Sequence, residues 1–341
     1  MEPILTVDNL KTYFFQDEGT VKAVDGASFD VYPGRTLGLV GESGCGKSIT
    51  ARSILRIVDK PGRIVEGTIR YRPQGDGQVI DLTALKAEGS EMRAIRGKDI
   101  ALIFQEPMTS FSAHYTVGNQ IIEAIRLHDR SLSKQQARDQ AIDLLRKTGV
   151  PRPEQRIDMY SFQLSGGLRQ RVMISMALAC NPRILIADEP TTALDVTTQA
   201  QILELMKRLQ QQFGMAIILI THDMGVVAEM ADDVAVMYLG KVVERGPVDQ
   251  IFHAPRHPYT RALLRSIPSL ATETRTHLPT IAGSIPHPYN RPVGCPFHPR
   301  CTERIAGVCD RREPDLVALN SREGVSCFLH HNQATLSDPA D

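Results

Sequence analysis

The stretch that most restricts the fold of this chain is GESGCGKS, residues 41–48. It fits the pattern G-x-x-x-x-G-K-[ST], in which glycines let the backbone curl closely around a phosphate and present N–H donors to it. The apolar run 36–40 before it predicts a buried strand, and residues 48–58 after it predict a helix whose N-terminus favours the same anion. The sequence therefore predicts a strand, loop and helix that bind a nucleoside triphosphate.

Two side chains of this loop have separate predicted roles. Lys47 supplies a positive charge for the β- and γ-phosphates, and the Ser48 hydroxyl is a predicted Mg²⁺ ligand. The predicted ATP-binding residues of the loop are Gly41, Glu42, Ser43, Gly44, Cys45, Gly46, Lys47, Ser48 and Ile49.

A second motif, ILIADEP at residues 184–190, is an apolar strand that ends in two acids. Ligands of open parallel sheets bind at the carboxyl ends of the strands. Phosphoryl transfer depends on positioning a nucleophile and neutralising charge. We therefore expect Asp188 to reach the Mg²⁺ shell and Glu189 to polarise the attacking water.

The order of the apolar segments predicts the architecture. From residue 184 onward the pattern runs strand, helix, strand with continuous apolar strands, which indicates a parallel sheet covered by helices on both faces. Residues 116–148 show helical spacing. After about residue 255 the composition changes to Pro, His and Arg, which indicates an appended tail.

Composition excludes some function classes. The 341 residues carry 39 basic and 39 acidic side chains, a balance that argues against a protein whose main task is to hold a nucleic-acid backbone. The start of the chain lacks signal-peptide features, and the longest apolar runs are too short to span a bilayer. We expect a soluble, cytoplasmic protein.

Between the two motifs lies LSGGLRQR, residues 164–171. Together with the phosphate loop, ADEP, ALD and ITHD, it resembles the ATPase subunits of ABC transporters, with five motifs in matching order over roughly residues 4–250. In that family the LSGG segment contacts the ATP of a partner subunit, so that two ATPs are held head to tail. The resemblance assigns this role to Ser165, Gly166, Gly167 and Gln170.

Further roles follow from the same resemblance, position by position. Gln105 resembles the glutamine that senses Mg²⁺ and the attacking water, and it counts among the ATP-binding residues; His222 resembles the histidine that contacts the γ-phosphate. Asp195 resembles a residue that crosses the dimer interface, with a helix N-cap as a compatible alternative. Tyr13 aligns with the aromatic that stacks on adenine, although the neighbouring Phe14 or Phe15 could do so instead. The implied catalytic residues are Glu189, His222 and Gln105, and the implied Mg²⁺ ligands are Ser48, Gln105 and Asp188.

The resemblance implies an α/β fold. Its parts are a P-loop NTPase core with a mixed, largely parallel sheet, an antiparallel β subdomain, an inserted helical subdomain at about residues 106–164, and a C-terminal cysteine-bearing tail. We predict an ATPase domain at residues 1–255 and a C-terminal extension at residues 256–341.

Longer stretches are similar to the peptide-importer branch of these ATPases, including EPMTSFSAHYTVGNQI, ADEPTTALDVTTQAQI and the tail segment 252–268. The branch implies an ATP-hydrolysing motor for di- or oligopeptides at the cytoplasmic face of the bacterial inner membrane, bound peripherally. Its implied partners are a second ABC ATPase subunit, identical or sister, two integral membrane permease subunits and an extracytoplasmic solute-binding protein, with no nucleic acid.

Two alternatives stay open at this stage. The stretch TSFSAHYT departs from the Leu-Asn-Pro sequence that is more common in the branch, which leaves a sugar or nickel as another solute. A soluble ABC-type ATPase acting on nucleic acid is the second alternative. The absence of a basic excess, of long coiled coils and of a second ATPase unit disfavours it.

Four cysteines, Cys295, Cys301, Cys309 and Cys327, crowd the tail. They lack the tight C-x₂₋₄-C pair of structural zinc sites, and disulfides are disfavoured in the cytosol. An iron–sulfur cluster accepts four cysteines at varied spacing, and peptide-importer ATPases with a similar tail hold one. We therefore predict a [4Fe–4S] site; zinc, with His298 as a possible substitute ligand, and unligated thiols are the alternatives.

Overall fold

The computed structural model describes residues 1–73, 78–106, 110–192, 194–266 and 281–331. These residues form two compact units. The first unit contains residues 1–3, 31–36 and 84–220, and the second unit contains the described parts of 4–30, 37–83 and 221–341. The predicted domain boundary near residue 255 lies inside the second unit and stays a prediction.

The strands of the described residues, in chain order, are β1 (Leu5–Gln16), β2 (Gly19–Val31), β3 (Thr36–Val40), β4 (Gly62–Tyr71), β5 (Ile80–Asp81), β6 (Ile100–Ile103), β7 (Ile184–Asp188), β8 (Ala216–Thr221), β9 (Asp233–Tyr238), β10 (Lys241–Pro247), β11 (Val317–Ala318) and β12 (Gly324–Val325). The helices are α1 (Lys47–Ile54), α2 (Ser90–Ile95), α3 (Val117–His128), α4 (Lys134–Lys147), α5 (Pro153–Arg156), α6 (Gly166–Ala177), α7 (Val196–Phe213), α8 (Met224–Met230), α9 (Val248–His253) and α10 (Pro258–Arg265). No helix of these residues is both long enough and apolar enough to cross a bilayer.

The first unit contains a parallel sheet in the order β6, β7, β8. Every residue of β7 is buried, as expected for a strand covered on both faces. Helices α3 to α6 lie between β6 and β7 in the chain, within and just beyond the predicted helical subdomain. Thr116 caps α3, and Ser133 forms a capping box with Gln136 at α4, so local sequence fixes where these helices begin.

The second unit contains two groups of strands. An antiparallel sheet in the order β2, β1, β4, β5 corresponds to the predicted antiparallel β subdomain. In the other group β3 pairs in parallel with β9, and β10 continues it in antiparallel fashion. The short strands β12 and β11 then pair at the edge of β10, so that the C-terminal extension contributes to the sheet.

An apolar cluster, here named the extension cluster, joins the extension to these strands. It contains Tyr238 of β9, Tyr259 of α10, and Phe297, all nearly or fully buried. The rings of Tyr238 and Tyr259 lie 4.7 Å apart between centroids, and Phe297 lies 5.3 Å from each of them. Edge-to-face and tilted pairs at these distances are favourable beyond the apolar area they bury.

Candidate functional site

The phosphate loop of the second unit admits only glycine at two points. Gly41 has a φ of 150°, and a Cβ atom there would lie 2.2 Å from the carbonyl oxygen of Met237. Gly46 has a φ of 103°, and its Cβ would lie 2.3 Å from the carbonyl oxygen of Ala23. The backbone of the loop is therefore packed tightly on neighbouring strands in a conformation that side chains would prevent. This close backbone is what a phosphate cradle requires.

Lys47 opens α1 directly behind this loop and is only 5% exposed. Its ammonium group donates hydrogen bonds to the carbonyl oxygens of Gly41, at 2.8 Å, and Glu42, at 3.1 Å. No side chain caps the helix at Gly46, and an uncapped helix N-terminus favours an anion. The loop, the lysine and the helix start thus fit a triphosphate, and Ser48, the predicted Mg²⁺ ligand, lies in the first turn of α1.

The candidate adenine end of the site, where the predicted stacking aromatic lies, is on β1. Tyr13 is partly buried and its hydroxyl donates a hydrogen bond to Asp25 of β2. Phe15 is more exposed, with the guanidinium carbon of Arg63 4.4 Å from its ring centroid. Burial raises the pKa of Tyr13, and its bond to Asp25 raises it further, so the phenol stays protonated. The choice of Tyr13 as the stacking ring stays a prediction.

In the first unit the ends of β6 and β7 bring together two predicted catalytic side chains. Gln105 donates from Nε2 to Oε2 of Glu189 over 2.9 Å. The hydroxyl of Thr192 donates to the same oxygen over 3.0 Å. Glu189 has a left-handed φ of 47°, and its N–H bonds to Ile220 at 2.9 Å, which holds its backbone in that conformation. Asp188, the predicted Mg²⁺ ligand, is the buried last residue of β7.

The LSGG segment begins α6 of the first unit. Ser165 is the N-cap residue, its side chain makes no cap hydrogen bond, and both Ser165 and Gly166 are exposed. A Cβ on Gly167 would lie 2.9 Å from Cγ2 of Thr198, so this glycine is needed for close packing on α7. Gln170 differs from the others, since it is 2% exposed and its Nε2 lacks a hydrogen-bond partner among the described residues.

Asp195 caps α7 by accepting from the N–H of Thr198 at 3.0 Å and from its hydroxyl at 2.7 Å. The hydrogen bond from the Thr198 side chain, followed by that from its backbone, lowers the pKa of Asp195, which is therefore ionised at neutral pH. The N-cap role considered from the sequence is thus present, and Asp195 and the neighbouring Val196 are both exposed.

His222 lies in the second unit, directly after β8, and is exposed. The following Asp223 caps α8 by accepting from Gly225 at 2.8 Å and Val226 at 3.3 Å. This cap fixes the backbone beside the histidine, while the contact of His222 with a γ-phosphate stays a prediction.

The sequence did not reveal three residues that contact the candidate site in the second unit. Arg291 pairs with Asp25 at 2.7 Å, Arg300 pairs with Glu42 at 2.8 Å, and Tyr259 bonds to the Glu42 backbone at 3.0 Å. Each partner is more than 200 residues away in the chain. No local motif signals pairs at such separation.

These features define an ATPase of the phosphate-loop class with an ABC signature segment. The description "ABC transporter" matches residues 24–192, and "Oligopeptide/dipeptide transporter, C-terminal region" matches residues 243–309. The chain belongs to the ABC transporter family, among its oligopeptide and dipeptide transport ATP-binding proteins.

Named relatives agree with this assignment. The chain is 48% identical over 334 residues to the oligopeptide transport ATP-binding protein AppD of Bacillus subtilis (strain 168), covering 98% of each chain. It is 47% identical over 327 residues to the dipeptide transport ATP-binding protein DppD of Escherichia coli (strain K12), covering 95% of this chain and 96% of the relative. The predicted family, the ATPase activity and the assignment to peptide transport are confirmed at this level.

Solved structures match the fold. The dimeric ABC transporter cassette MJ0796 superposes with a TM-score of 0.62 at 26% identity, covering 72% of this chain and 98% of that one. A second structure of the same cassette, in a post-hydrolysis state with ADP and Pi, matches equally well. The predicted α/β fold class of an ABC ATPase is thereby confirmed.

The [4Fe–4S] prediction for the tail is wrong. Across the described residues, which include all four cysteines, no group of three or more His, Cys, Asp or Glu side chains is arranged to hold a metal ion. The same finding removes the zinc alternative. The descriptions of the matched families and relatives name transport and ATP binding, and no cluster.

Packing gives the physical reason. Cys295 belongs to the extension cluster, and Cys301 and Cys309 pack against it. Burial raises the pKa of Cys295 to about 12 and that of Cys327 to about 11. Both are therefore thiols at neutral pH, and a buried thiol behaves as a small apolar side chain. The sulfur of Cys309 also accepts a hydrogen bond from the Ile305 N–H at 3.3 Å.

Proposed function

We propose that this chain is the ATP-hydrolysing motor subunit of a membrane importer for di- or oligopeptides. The observation that carries the catalytic part is the hydrogen bond of Gln105 to Glu189 at the ends of two parallel strands. The match of the C-terminal region to peptide transporters, together with the names of the relatives, supports the peptide substrate.

In this proposal the residues of the site share the tasks of hydrolysis. The phosphate loop and Lys47 bind the β- and γ-phosphates, and Tyr13 stacks on the adenine. Ser48, Asp188 and Gln105 would hold Mg²⁺, which neutralises phosphate charge when it is bound. The Glu189 carboxylate accepts a hydrogen bond from the attacking water, and Gln105 and Thr192 fix the orientation of that carboxylate.

The exposed residues of the first unit support a head-to-tail dimer with an identical or sister ATPase. Ser165 and Gly166 are exposed at the start of α6, and Asp195 and Val196 are exposed at the start of α7. A second anion-binding helix start is of no use to the chain's own triphosphate, so it serves the partner's ATP. In the same proposal His222 contacts the γ-phosphate, and Gln170 belongs to the segment that binds the partner's ATP.

A groove on the first unit supports docking on membrane subunits. It has a volume of about 490 Å³, and its lining includes Tyr115 and Leu127, both well exposed. In the ATPases that this chain resembles, the segment after the Gln105 position, about residues 106–128, meets the membrane subunit. Six of the eight residues that line the groove lie in this segment, and Arg130 and Lys134 lie beyond it. Residues 107–109 of the segment lie outside the described residues. We propose two integral permease subunits and an extracytoplasmic solute-binding protein as partners, with the chain bound to the cytoplasmic face of the bacterial inner membrane.

Glu189→Gln tests the catalytic assignment. The variant should bind ATP nearly as well as the wild type but hydrolyse it at least about a hundredfold more slowly, because the amide cannot accept the water's proton. Glu204→Gln, on the exposed side of α7, is the matched control and should retain activity. Near-wild-type turnover of Glu189→Gln would contradict the assignment.

The transport assignment requires the intact transporter. ATP hydrolysis by the chain assembled with its permease subunits should rise when the solute-binding protein carries a di- or oligopeptide. If a solute-binding protein loaded with a sugar or with nickel stimulated ATP hydrolysis instead, that solute would replace the peptide as the proposed transport substrate. Purification with nucleic acid in place of membrane subunits would contradict the importer proposal altogether.

A further inference from the structure

Arg300 of the C-terminal extension is bound in a fixed position against the phosphate loop. Its side chain is 4% exposed and pairs in bidentate fashion with the Glu42 carboxylate, at 2.8 and 3.1 Å. Three further hydrogen bonds go to the Ala282 and Ile281 carbonyl oxygens and to the Tyr238 hydroxyl. A guanidinium has five N–H donors, so this set uses every one of them.

Tyr259 makes a second contact from the extension to the same loop residue. Its hydroxyl accepts a hydrogen bond of 3.0 Å from the Glu42 N–H. The tyrosine is fully buried in the extension cluster against Tyr238 and Phe297. Glu42 is therefore held through its side chain and its backbone, five residues before Lys47.

An independent contact lies at the candidate adenine end. Arg291 of the extension binds Asp25 at 2.7 Å, and Asp25 accepts the hydroxyl hydrogen of Tyr13. Burial alone would raise the pKa of Asp25, but the bond from Tyr13 and the charge of Arg291 outweigh it and lower the pKa. Tyr289, two residues before Arg291, donates to the side-chain oxygen of Gln16, at the end of β1.

We propose that the C-terminal extension positions the ATP-binding residues of its own chain at both ends of the nucleotide. Arg300 is the positioning residue for the phosphate loop, acting through Glu42. Arg291 is the positioning residue for Tyr13, acting through Asp25. The proposal rests on the ATP binding assigned above and adds residues that lie outside the motifs of the ATPase domain.

The expected effect of losing Arg300 follows from the charges. Without the guanidinium, the partly buried Glu42 carboxylate is an unpaired negative charge next to the loop that must accept a polyanion. Removing one partner of a buried, hydrogen-bonded charge pair is costly mainly because the other charge stays behind. We expect Arg300→Ala to raise the dissociation constant of ATP about tenfold.

Two ligands distinguish the proposed role of Arg300 from that of Arg291. Equilibrium binding to the full-length chain is measured for ATP and for inorganic tripolyphosphate, which has no base. Arg300→Ala should weaken both ligands by similar factors, whereas Arg291→Ala should weaken ATP about threefold or more and leave tripolyphosphate unchanged. Arg304→Ala, an exposed arginine of the extension, is the matched control and should bind both like the wild type.

A second variant distinguishes positioning from general damage to the fold. Glu42→Gln combined with Arg300→Ala removes the unpaired charge, so the double variant should bind ATP more tightly than Arg300→Ala alone. Arg300→Lys should fall between the wild type and Arg300→Ala, because an ammonium group cannot reproduce the bidentate pair.

The Arg300 assignment would be overturned if Arg300→Ala bound both ligands with wild-type affinity. It would also be overturned if the double variant bound ATP no more tightly than Arg300→Ala alone. Equal weakening of tripolyphosphate by Arg291→Ala would overturn the Arg291 assignment. If the wild-type chain itself binds no ATP, the proposed function fails instead.

Discussion

Replacing Glu244 with alanine should destabilise the packing of the start of the C-terminal extension against β10. Glu244 of β10 is 1% exposed, and its two carboxylate oxygens accept the backbone N–H groups of Arg256 at 2.7 Å and His257 at 2.8 Å. The side-chain amide of Gln250 adds a longer bond of 3.3 Å. One buried side chain thus satisfies the backbone just where the chain enters α10.

The magnitude follows from the two hydrogen bonds that are lost. A hydrogen bond to a charged group contributes about 1.5–3 kcal/mol, so losing the buried bond from His257 and the partly buried bond from Arg256 should cost on the order of 3 kcal/mol. Glutamine keeps one carbonyl acceptor but turns an NH₂ group toward the second N–H, so Glu244→Gln should lose about half as much.

Hydrogen exchange read by mass spectrometry on peptides covering residues 254–260 measures this effect locally. Because 1.4 kcal/mol corresponds to a factor of ten, exchange there should accelerate about a hundredfold in Glu244→Ala and about tenfold in Glu244→Gln. Peptides from β6 and β7 of the first unit should be unchanged. Glu18→Ala, in the exposed turn between β1 and β2, is the control. Unaltered protection in Glu244→Ala would refute the reasoning.

Three further changes have definite expected results. Lys47→Ala should weaken ATP binding at least about tenfold in an equilibrium assay, and unchanged affinity would remove Lys47 as a phosphate ligand. Gly46→Ala should lower the free energy of unfolding by about 2 kcal/mol or more, measured by urea denaturation, since its Cβ would lie 2.3 Å from the Ala23 oxygen; Gly214→Ala, with no atom within 4 Å, should cost less. Burial lowers the pKa of His257 to about 3, so the unfolded chain binds more protons below pH 6.5. Unfolding free energy should therefore fall as pH drops from about 6.5 toward 3, by up to about 1.4 kcal/mol per unit, and a His257→Asn variant should lack this slope.

Local signals in the sequence were enough for the catalytic motifs. The phosphate loop needs its glycines in order and next to a strand and a helix, and Gly41 and Gly46 have the tight environments that this pattern implies. The bond between Gln105 and Glu189 could be expected because both residues follow parallel strands, β6 and β7, that pair side by side.

In the C-terminal tail, local sequence signals were not enough to predict the structure. Cysteine spacing and a family resemblance suggested a cluster, but the pattern of residues does not say whether thiols face one another as a ligand set or pack into a core. Cys295 lies two residues before Phe297 in the chain, and both are buried in the extension cluster. The pairing of Arg300 with Glu42, 258 residues away, likewise depends on the tertiary fold alone.

The two short strands of the extension also affect how this chain meets copies of itself. β12 pairs with Glu244 and Arg245 of β10, and the Ser326 N–H donates to the Val243 oxygen at 2.8 Å. A chain that stopped after the predicted ATPase domain would leave that row of peptide groups open, and open strand edges recruit strands from other molecules. Among the described residues the sheet instead ends at β11, which is only two residues long and therefore presents few peptide groups to a strand from another molecule. Cutting after residue 255 should therefore produce material that self-associates on concentration, which light scattering would reveal.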